Sequence, residues 1–132
     1  MDDTKAFSRM TFISGAISAG IGIALGAFAS HGLKNRLAPD MLVIFETGVR
    51  YQMYHAFALI VTALAAPLFG NHHLANFKVA AWAFGLGTAF FCTSLYLLSI
   101  SGMTWLGAVA PIGGVGFLVG WIALAVAVFR GR

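Results

Sequence analysis

Four long apolar stretches, Met10–Ser30, Tyr51–Phe69, Phe77–Leu98 and Leu106–Phe129, take up most of the 132 residues and decide the solvent before anything else is read. A helix needs ~20 mostly apolar residues to cross ~30 Å of hydrocarbon, and each stretch approaches or exceeds that. Helices are the expected form, because in lipid every backbone N–H and C=O must be satisfied within the segment. The ~10-residue alternation of a membrane β-barrel strand does not occur in this chain. Composition agrees, with 60% hydrophobic residues, 9% charged residues and a mean hydropathy of +0.89. Soluble domains carry ~25% charged residues. The expected fold is all-α: an integral membrane bundle of four transmembrane helices, one domain over residues 1–132, with spans about 10–30, 51–69, 77–98 and 106–129.

The formal net charge of +4 does not point to nucleic acid, since no run of Lys or Arg could track a phosphate backbone. Basic residues flanking membrane spans face anionic head groups, so the lipid bilayer is the expected partner. Lys5 and Arg9 before an apolar run ending Ala27-Phe28-Ala29 resemble a signal peptide, but the run is nearer a full span than a short signal core and is expected to stay. Cys92 is the single cysteine, so no internal disulfide can form. Lys5, Arg9, Lys78, Arg130 and Arg132 fall on the side of the termini, and Lys34, Arg36 and Arg50 on the other. Five against three places both termini in the cytoplasm by the positive-inside rule.

Small residues recur every fourth position in the first span (Ser14, Ser18, Gly22, Gly26, Ser30) and in the third (Ala81, Gly85, Ala89, Thr93), with Gly116 and Gly120 in the fourth. Such stripes let helix backbones approach closely, within one chain or between copies. A homo-oligomer or a larger membrane complex therefore stays open as a partner class. Between the first two spans, Gly32 is expected to stop the first helix in a left-handed cap. Pro39 and Asp40 suit a first turn. Met41, Leu42, Phe45 and Val49 then share one face, which predicts a short amphipathic interfacial helix over about 39–49 that bends at Gly48. Gly70–Asn76 reads as a polar loop whose His72-His73 pair is solvated, and Pro111 predicts a kink one turn inside the fourth span. Trp105, Trp121 and Tyr96 read as interface anchors and packing residues.

Candidate chemistry gathers near the rim between the first two spans: His31, Glu46, Arg50, Tyr51, Tyr54 and His55. On a helix Glu46 and Arg50 are i,i+4 neighbours and can pair, as can Arg50 with Tyr54 and Tyr51 with His55. Ionisable groups at membrane depth are either paired or functional. An interfacial belt is the first reading. A polar pocket that binds a ligand or passes protons is the second. Haem or metal ligation by His31 and His55 is the third, although their spacing does not require it. No nucleophile–base pair is present, so no catalytic residue, metal site or cofactor is expected.

Gly26–Lys34, Phe45–Ala56, Ser94–Leu98 and Leu106–Gly114 resemble a family of small membrane proteins catalogued as domain of unknown function 423, which includes the animal transmembrane protein 256. The resemblance covers nearly the whole chain, and the string Glu46-Thr47-Gly48-Val49-Arg50-Tyr51-Gln52-Met53-Tyr54-His55 is its most specific part. Ala29-Ser30 departs from a frequent Gly-Ala, and Ala110 from a common Thr. The resemblance implies a multi-span protein without established activity, with His31, Glu46, Arg50, Tyr54 and His55 in the shared motif, in the cytoplasmic membrane of bacteria. The expected function is that of a non-enzymatic accessory or structural membrane component. A small oligomeric transporter or channel is an alternative that lacks a mid-span carboxylate, and a haem- or metal-binding protein is the other.

Overall fold

The computed structural model describes residues 3–70 and 73–131, which form α1 (Asp3–Phe28), α2 (Pro39–Phe69), α3 (Leu74–Ser101) and α4 (Ala110–Arg130). A π-helical turn, Ala29–Leu33, follows α1, and a 3-10 turn, Thr104–Ala108, precedes α4. No strand occurs among the described residues, and four helical segments are long and apolar enough to cross a membrane. Asn71 and His72 of the expected polar loop lie outside the described residues, as do Met1, Asp2 and Arg132.

Pro39 and Asp40 occupy the first turn of α2, where a missing N–H costs nothing and a carboxylate meets the positive end of the dipole. The helix then runs unbroken for 31 residues, so the expected separate interfacial helix over 39–49 does not exist. Gly48 does not bend it. The ring of Tyr96 lies so close that a Cβ at Gly48 would sit 2.7 Å from Cε1. The glycine answers a packing need, not a flexibility need. The amphipathic pattern belongs to the outer part of one long helix, about 46 Å from end to end at 1.5 Å per residue.

Two other stops differ from expectation. α1 ends in the π turn, not in a left-handed cap at Gly32, and among the described residues only Gly102, after α3, has a positive φ (71°). Widening the last turn seats Ala29 and Leu33 inward against Phe45 and leaves Ser30 and His31 outside. Pro111 does not kink a helix that has already begun. α4 starts at Ala110, so the proline sits in the first turn with no bond to break, and the 3-10 turn fills the space expected to be helical.

α1 packs along α2, α2 along α3 and α3 along α4, each antiparallel to the last. α4 leans slightly onto α2 and α1 slightly onto α3, but α1 and α4 do not pack on each other. The bundle is therefore open on one side, with α2 and α3 in the middle. Its interior is made of small residues and a few rings: Ala56, Ala66, Ala80 and Ala127, with Phe45, Phe77 and Phe84, are almost fully buried. Large aliphatic side chains such as Ile23, Leu68, Leu118 and Ile122 point outward. This is the arrangement lipid favours, because a buried Leu gains little over a lipid-facing one while close backbone approach gains dispersion contacts.

The contact rows alternate steps of four and three. On α1 the buried positions are Thr11, Gly15 and Gly22, with Ser18 half-buried between them, and the π turn continues the row with Ala29 and Leu33. A strict every-fourth stripe turns about 40° per step around the axis, so its ends leave the interface. Ser14 and Ser30 are exposed for that reason, while Gly22 and Gly26 meet Met53 and Val49. On α3 the close approach is at Gly87, whose Cβ would lie 2.7 Å from Phe117 and 3.0 Å from the Gly113 carbonyl. Gly85 and Ala89 face outward, with open space at Gly85. Gly116 and Gly120 both pack onto α3, the first beside Gly87 and the second under Phe84.

At Gly15 a Cβ would lie 2.8 Å from the Ala56 carbonyl oxygen, and at Gly20 it would meet nothing. Gly15→Ala is expected to destabilise the protein by about 1–3 kcal/mol, the usual cost of overpacking. Gly20→Ala should leave thermal stability in detergent unchanged or slightly raised. Melting followed by size-exclusion recovery checks the pair, and equal melting of the two variants would refute this account of the α1–α2 contact.

Candidate functional site

The polar centre of the molecule is built on α2, by two residues three positions apart. Gln52 is buried where α1, α2 and α3 converge. Its Nε2 donates to the Ser18 carbonyl on α1 at 2.9 Å, and its Oε1 accepts from the Tyr96 hydroxyl on α3 at 2.7 Å. One amide thus ties three helices. The approach is allowed by Gly22, one turn from Ser18 on α1, and by Gly48, one turn from Gln52 on α2, over which the Tyr96 ring lies.

His55 points toward α4 and is 4% exposed. Its ring stacks on Phe117 at 3.4 Å between centroids and 7° between planes. Its Nδ1 lies 2.7 Å from the Tyr51 carbonyl, and Trp121 Nε1 donates to its Nε2 at 3.3 Å. A carbonyl can only accept and an indole N–H can only donate, so the pattern assigns the proton to Nδ1 and leaves the imidazole neutral. Phe84 and Trp121 meet edge-on at 5.0 Å, and Tyr51 meets Phe91 at 4.8 Å, which closes an aromatic cluster across α2, α3 and α4.

The structure brings together only part of the expected cluster. Tyr51 and His55 are in ring contact at 6.2 Å, and Tyr51 and Tyr54 at 5.8 Å. The Glu46–Arg50 pair does not form. Arg50 turns the other way and donates to the Thr47 hydroxyl at 3.0 Å, while Glu46 is half-buried with no ion pair or hydrogen bond among the described residues. His31 is exposed on the π turn and does not join His55. Ser14 and Gly85, expected in helix contacts, border the same open apolar groove of about 290 Å³ between α1 and α3, alongside Leu59 and Trp82.

Along the bundle axis these residues lie inward of the turn that joins α1 to α2. Gly26 faces Val49 and Gly22 faces Met53, so Arg50 is level with the Leu25–Gly26 turn of α1. That is about 12 Å inside the level of Lys34 at 1.5 Å per residue. A haem or metal held by His31 and His55 does not fit this arrangement. Both His55 nitrogens are engaged, its ring face is covered by Phe117, and His31 is on the outer surface. Among the described residues no three of His, Cys, Asp or Glu converge.

Gln52 was missed in the sequence because it is uncharged and lies inside a string dominated by ionisable neighbours. An amide within an apolar span is itself the signal, since it must find partners there. Tyr96 and Trp121, read as anchors, are the partners of Gln52 and His55.

Residues 25–114 match the model of a family described as protein of unknown function (DUF423). That window contains all four of the strings that carry the likeness in the sequence. The UPF0382 membrane protein YwdK of Bacillus subtilis is 38% identical over 92% of this chain and 98% of its own length. A UPF0382 membrane protein of Staphylococcus saprophyticus is 36% identical over 92% and 98%. One from Haemophilus influenzae is 37% identical over 89% and 91%. No solved structure matches the chain.

Removing both of the amide's bonds with Gln52→Leu is expected to cost about 1–2 kcal/mol, since interhelix hydrogen bonds in membranes average ~0.6 kcal/mol. Tyr96→Phe should cost less, and the double variant less than the sum, because the two side chains share one bond. Unfolding in mixed micelles gives the cycle, and strict additivity would show that the Gln52–Tyr96 bond contributes nothing.

Proposed function

This chain belongs to the DUF423 family of membrane proteins, and from that premise we propose that it is a non-enzymatic accessory component of a bacterial cytoplasmic membrane. It associates laterally with other membrane proteins and carries out no reaction of its own. One observation carries the reading: Gln52 and His55, buried polar side chains in the middle of α2, are committed to neighbouring helices. Gln52 ties α1 and α3, and His55 is held neutral between the Tyr51 carbonyl and the Trp121 indole. A proton-coupled carrier needs an ionisable group free to change partners during the cycle, and a haem protein needs free imidazole nitrogens. His55 offers neither without dismantling the aromatic cluster.

The open side of the bundle supports the same reading, because helices left unpaired within a chain remain available to others. Placement with both termini in the cytoplasm rests on charge. Lys5, Arg9, Lys78, Arg130 and Arg132 fall toward the side of the termini, against Lys34, Arg36 and Arg50 toward the other.

Extraction of the C-terminally tagged protein into native nanodiscs is expected to recover a defined second membrane protein in fixed ratio. Recovery of this chain alone would overturn the accessory role. So would proton flux into dye-loaded proteoliposomes that vanishes with Glu46→Gln while the variant stays folded. In spheroplasts of a Cys92→Ala strain, an impermeant maleimide is expected to label Asn35→Cys and to spare Arg130→Cys. The reverse pattern would overturn the orientation.

A further inference from the structure

A groove of about 370 Å³ runs along the outside of the bundle between Phe12 and Ile13 of α1 and Ala63, Leu64 and Pro67 of α2. Ser8 and Arg9 line its outer end, because α1 runs inward from Asp3. The packing of the two helices fixes the level of that end. Gly15 lies against Ala56 and Ile60 of antiparallel α2, so Arg9, six residues earlier, is level with Ala66 and Pro67. α2 ends soon after, at Phe69, and the apolar stretch of α1 begins at Met10. The groove therefore starts where head groups give way to hydrocarbon and leads inward along apolar side chains.

Its polar end is unsatisfied. Arg9 is exposed and has no ion pair or hydrogen bond among the described residues. Lys5 stands one turn outward on the same face of α1, whereas Asp3 is about 160° around the helix from Lys5 at 100° per residue. The other described acids, Asp40 and Glu46, belong to the opposite end of the bundle. Ser8 adds a second demand. Ser14, Thr47 and Thr62 donate to the carbonyl four residues back, but the Ser8 Oγ is buried with no partner. A buried hydroxyl left unpaired costs free energy that an arriving acceptor would recover. The similar groove between α1 and α3 makes no such demand: no charged residue lines it, and the Ser14 hydroxyl on its wall is already bonded to the Met10 carbonyl.

A helical side chain leans toward the helix N-terminus, and arginine extends its charged head toward water. The guanidinium of Arg9 thus lies outward of the Ser8 hydroxyl, and the apolar walls lie inward of both. Cation, hydroxyl donor and apolar channel follow one another in the order of phosphate, ester and acyl chain in a glycerophospholipid. We propose that this groove binds one anionic glycerophospholipid of the leaflet on the side of the termini. Its phosphate pairs with Arg9, an ester carbonyl accepts from the Ser8 Oγ, and an acyl chain lies along Phe12, Ile13 and Leu64. An ethanolamine head group would bring its ammonium beside Lys5, where like charges repel, so the site selects a head group without a cation.

The test uses the full chain in micelles that hold equal amounts of phosphatidylglycerol and phosphatidylethanolamine, with retained lipids counted by native mass spectrometry. One phosphatidylglycerol is expected to be retained in preference to phosphatidylethanolamine. Arg9→Gln should lower its retention by about fivefold, and Ser8→Ala by about threefold without loss of thermal stability. Leu64→Trp fills the groove with both polar groups in place and should abolish retention. Arg130→Gln removes a cation from the same rim outside the groove and should change nothing. Arg9 and Leu64 face outward, and melting curves check that their variants fold. Should Leu64→Trp not fold, the comparison of Arg9→Gln with Arg130→Gln decides. Equal retention of the two lipids, equal loss in the two arginine variants, or full retention by folded Leu64→Trp would overturn the proposal. So would a lipid-free protein carrying a second polypeptide that Leu64→Trp displaces, which would assign the groove to another helix.

Discussion

Helices in a bilayer gain almost nothing by hiding Leu or Ile from a solvent that is itself hydrocarbon, and the whole structure follows from that. What remains to hold helices together is close packing, in which many weak contacts add up, and the few polar bonds that lipid cannot supply. The interior of this protein is accordingly built from Ala, Gly and aromatic rings, and the bulky aliphatic side chains are left outside. Each crossing has glycine in close contact: Gly15 and Gly22 between α1 and α2, Gly48 under Tyr96, and Gly87 against Gly113 and Gly116 between α3 and α4.

Polar ties add what packing alone lacks, which is register. Dispersion contacts between smooth rows of small residues change little when one helix slides along another. The Gln52 amide can reach both the Ser18 carbonyl and the Tyr96 hydroxyl in one alignment only, and His55 does the same for α2 and α4 through Trp121 and the Phe117 stack. The two residues sit three apart on α2, about 60° around the axis, so they face different neighbours from a single level of the bundle. α2 is thereby the organising helix.

The same level carries the groups that the chain does not satisfy by itself. On one side of α2 the polar residues are buried and bonded, and on the other Arg50 and Tyr54 face outward with Glu46 half-buried beside them. An enclosed bundle of four helices would have covered that side with a contact between α1 and α4, which this chain does not make. The internal ties and the open face are two consequences of the sequential packing, in which each helix leans mainly on its chain neighbours.

The medium, the number of spans and a helix start at Pro39 were legible in the sequence, because length, apolarity and proline's missing N–H act locally, but the helix that starts there is the second span itself and not a separate short one. The region from Glu46 to His55 stood out in the sequence too, since polar groups in apolar surroundings do. The partners of those groups were not. Glu46 and Arg50 look paired at i,i+4, but a side chain's rotamer follows its surroundings, and Arg50 turns to Thr47. Glycine was ambiguous for a related reason: the residue permits both a bend and a close approach, and only the neighbour across the interface tells which. Gly48 and Gly32 looked like breaks, and the Tyr96 ring and the π turn show otherwise. The every-fourth stripes carried the right residue types on partly the wrong rows, because a packed face follows alternating steps of four and three around a helix of 3.6 residues per turn. Local chemistry determined what each segment is; which face meets which, and which polar atom finds which partner, are properties of several helices at once and were decided only by their packing.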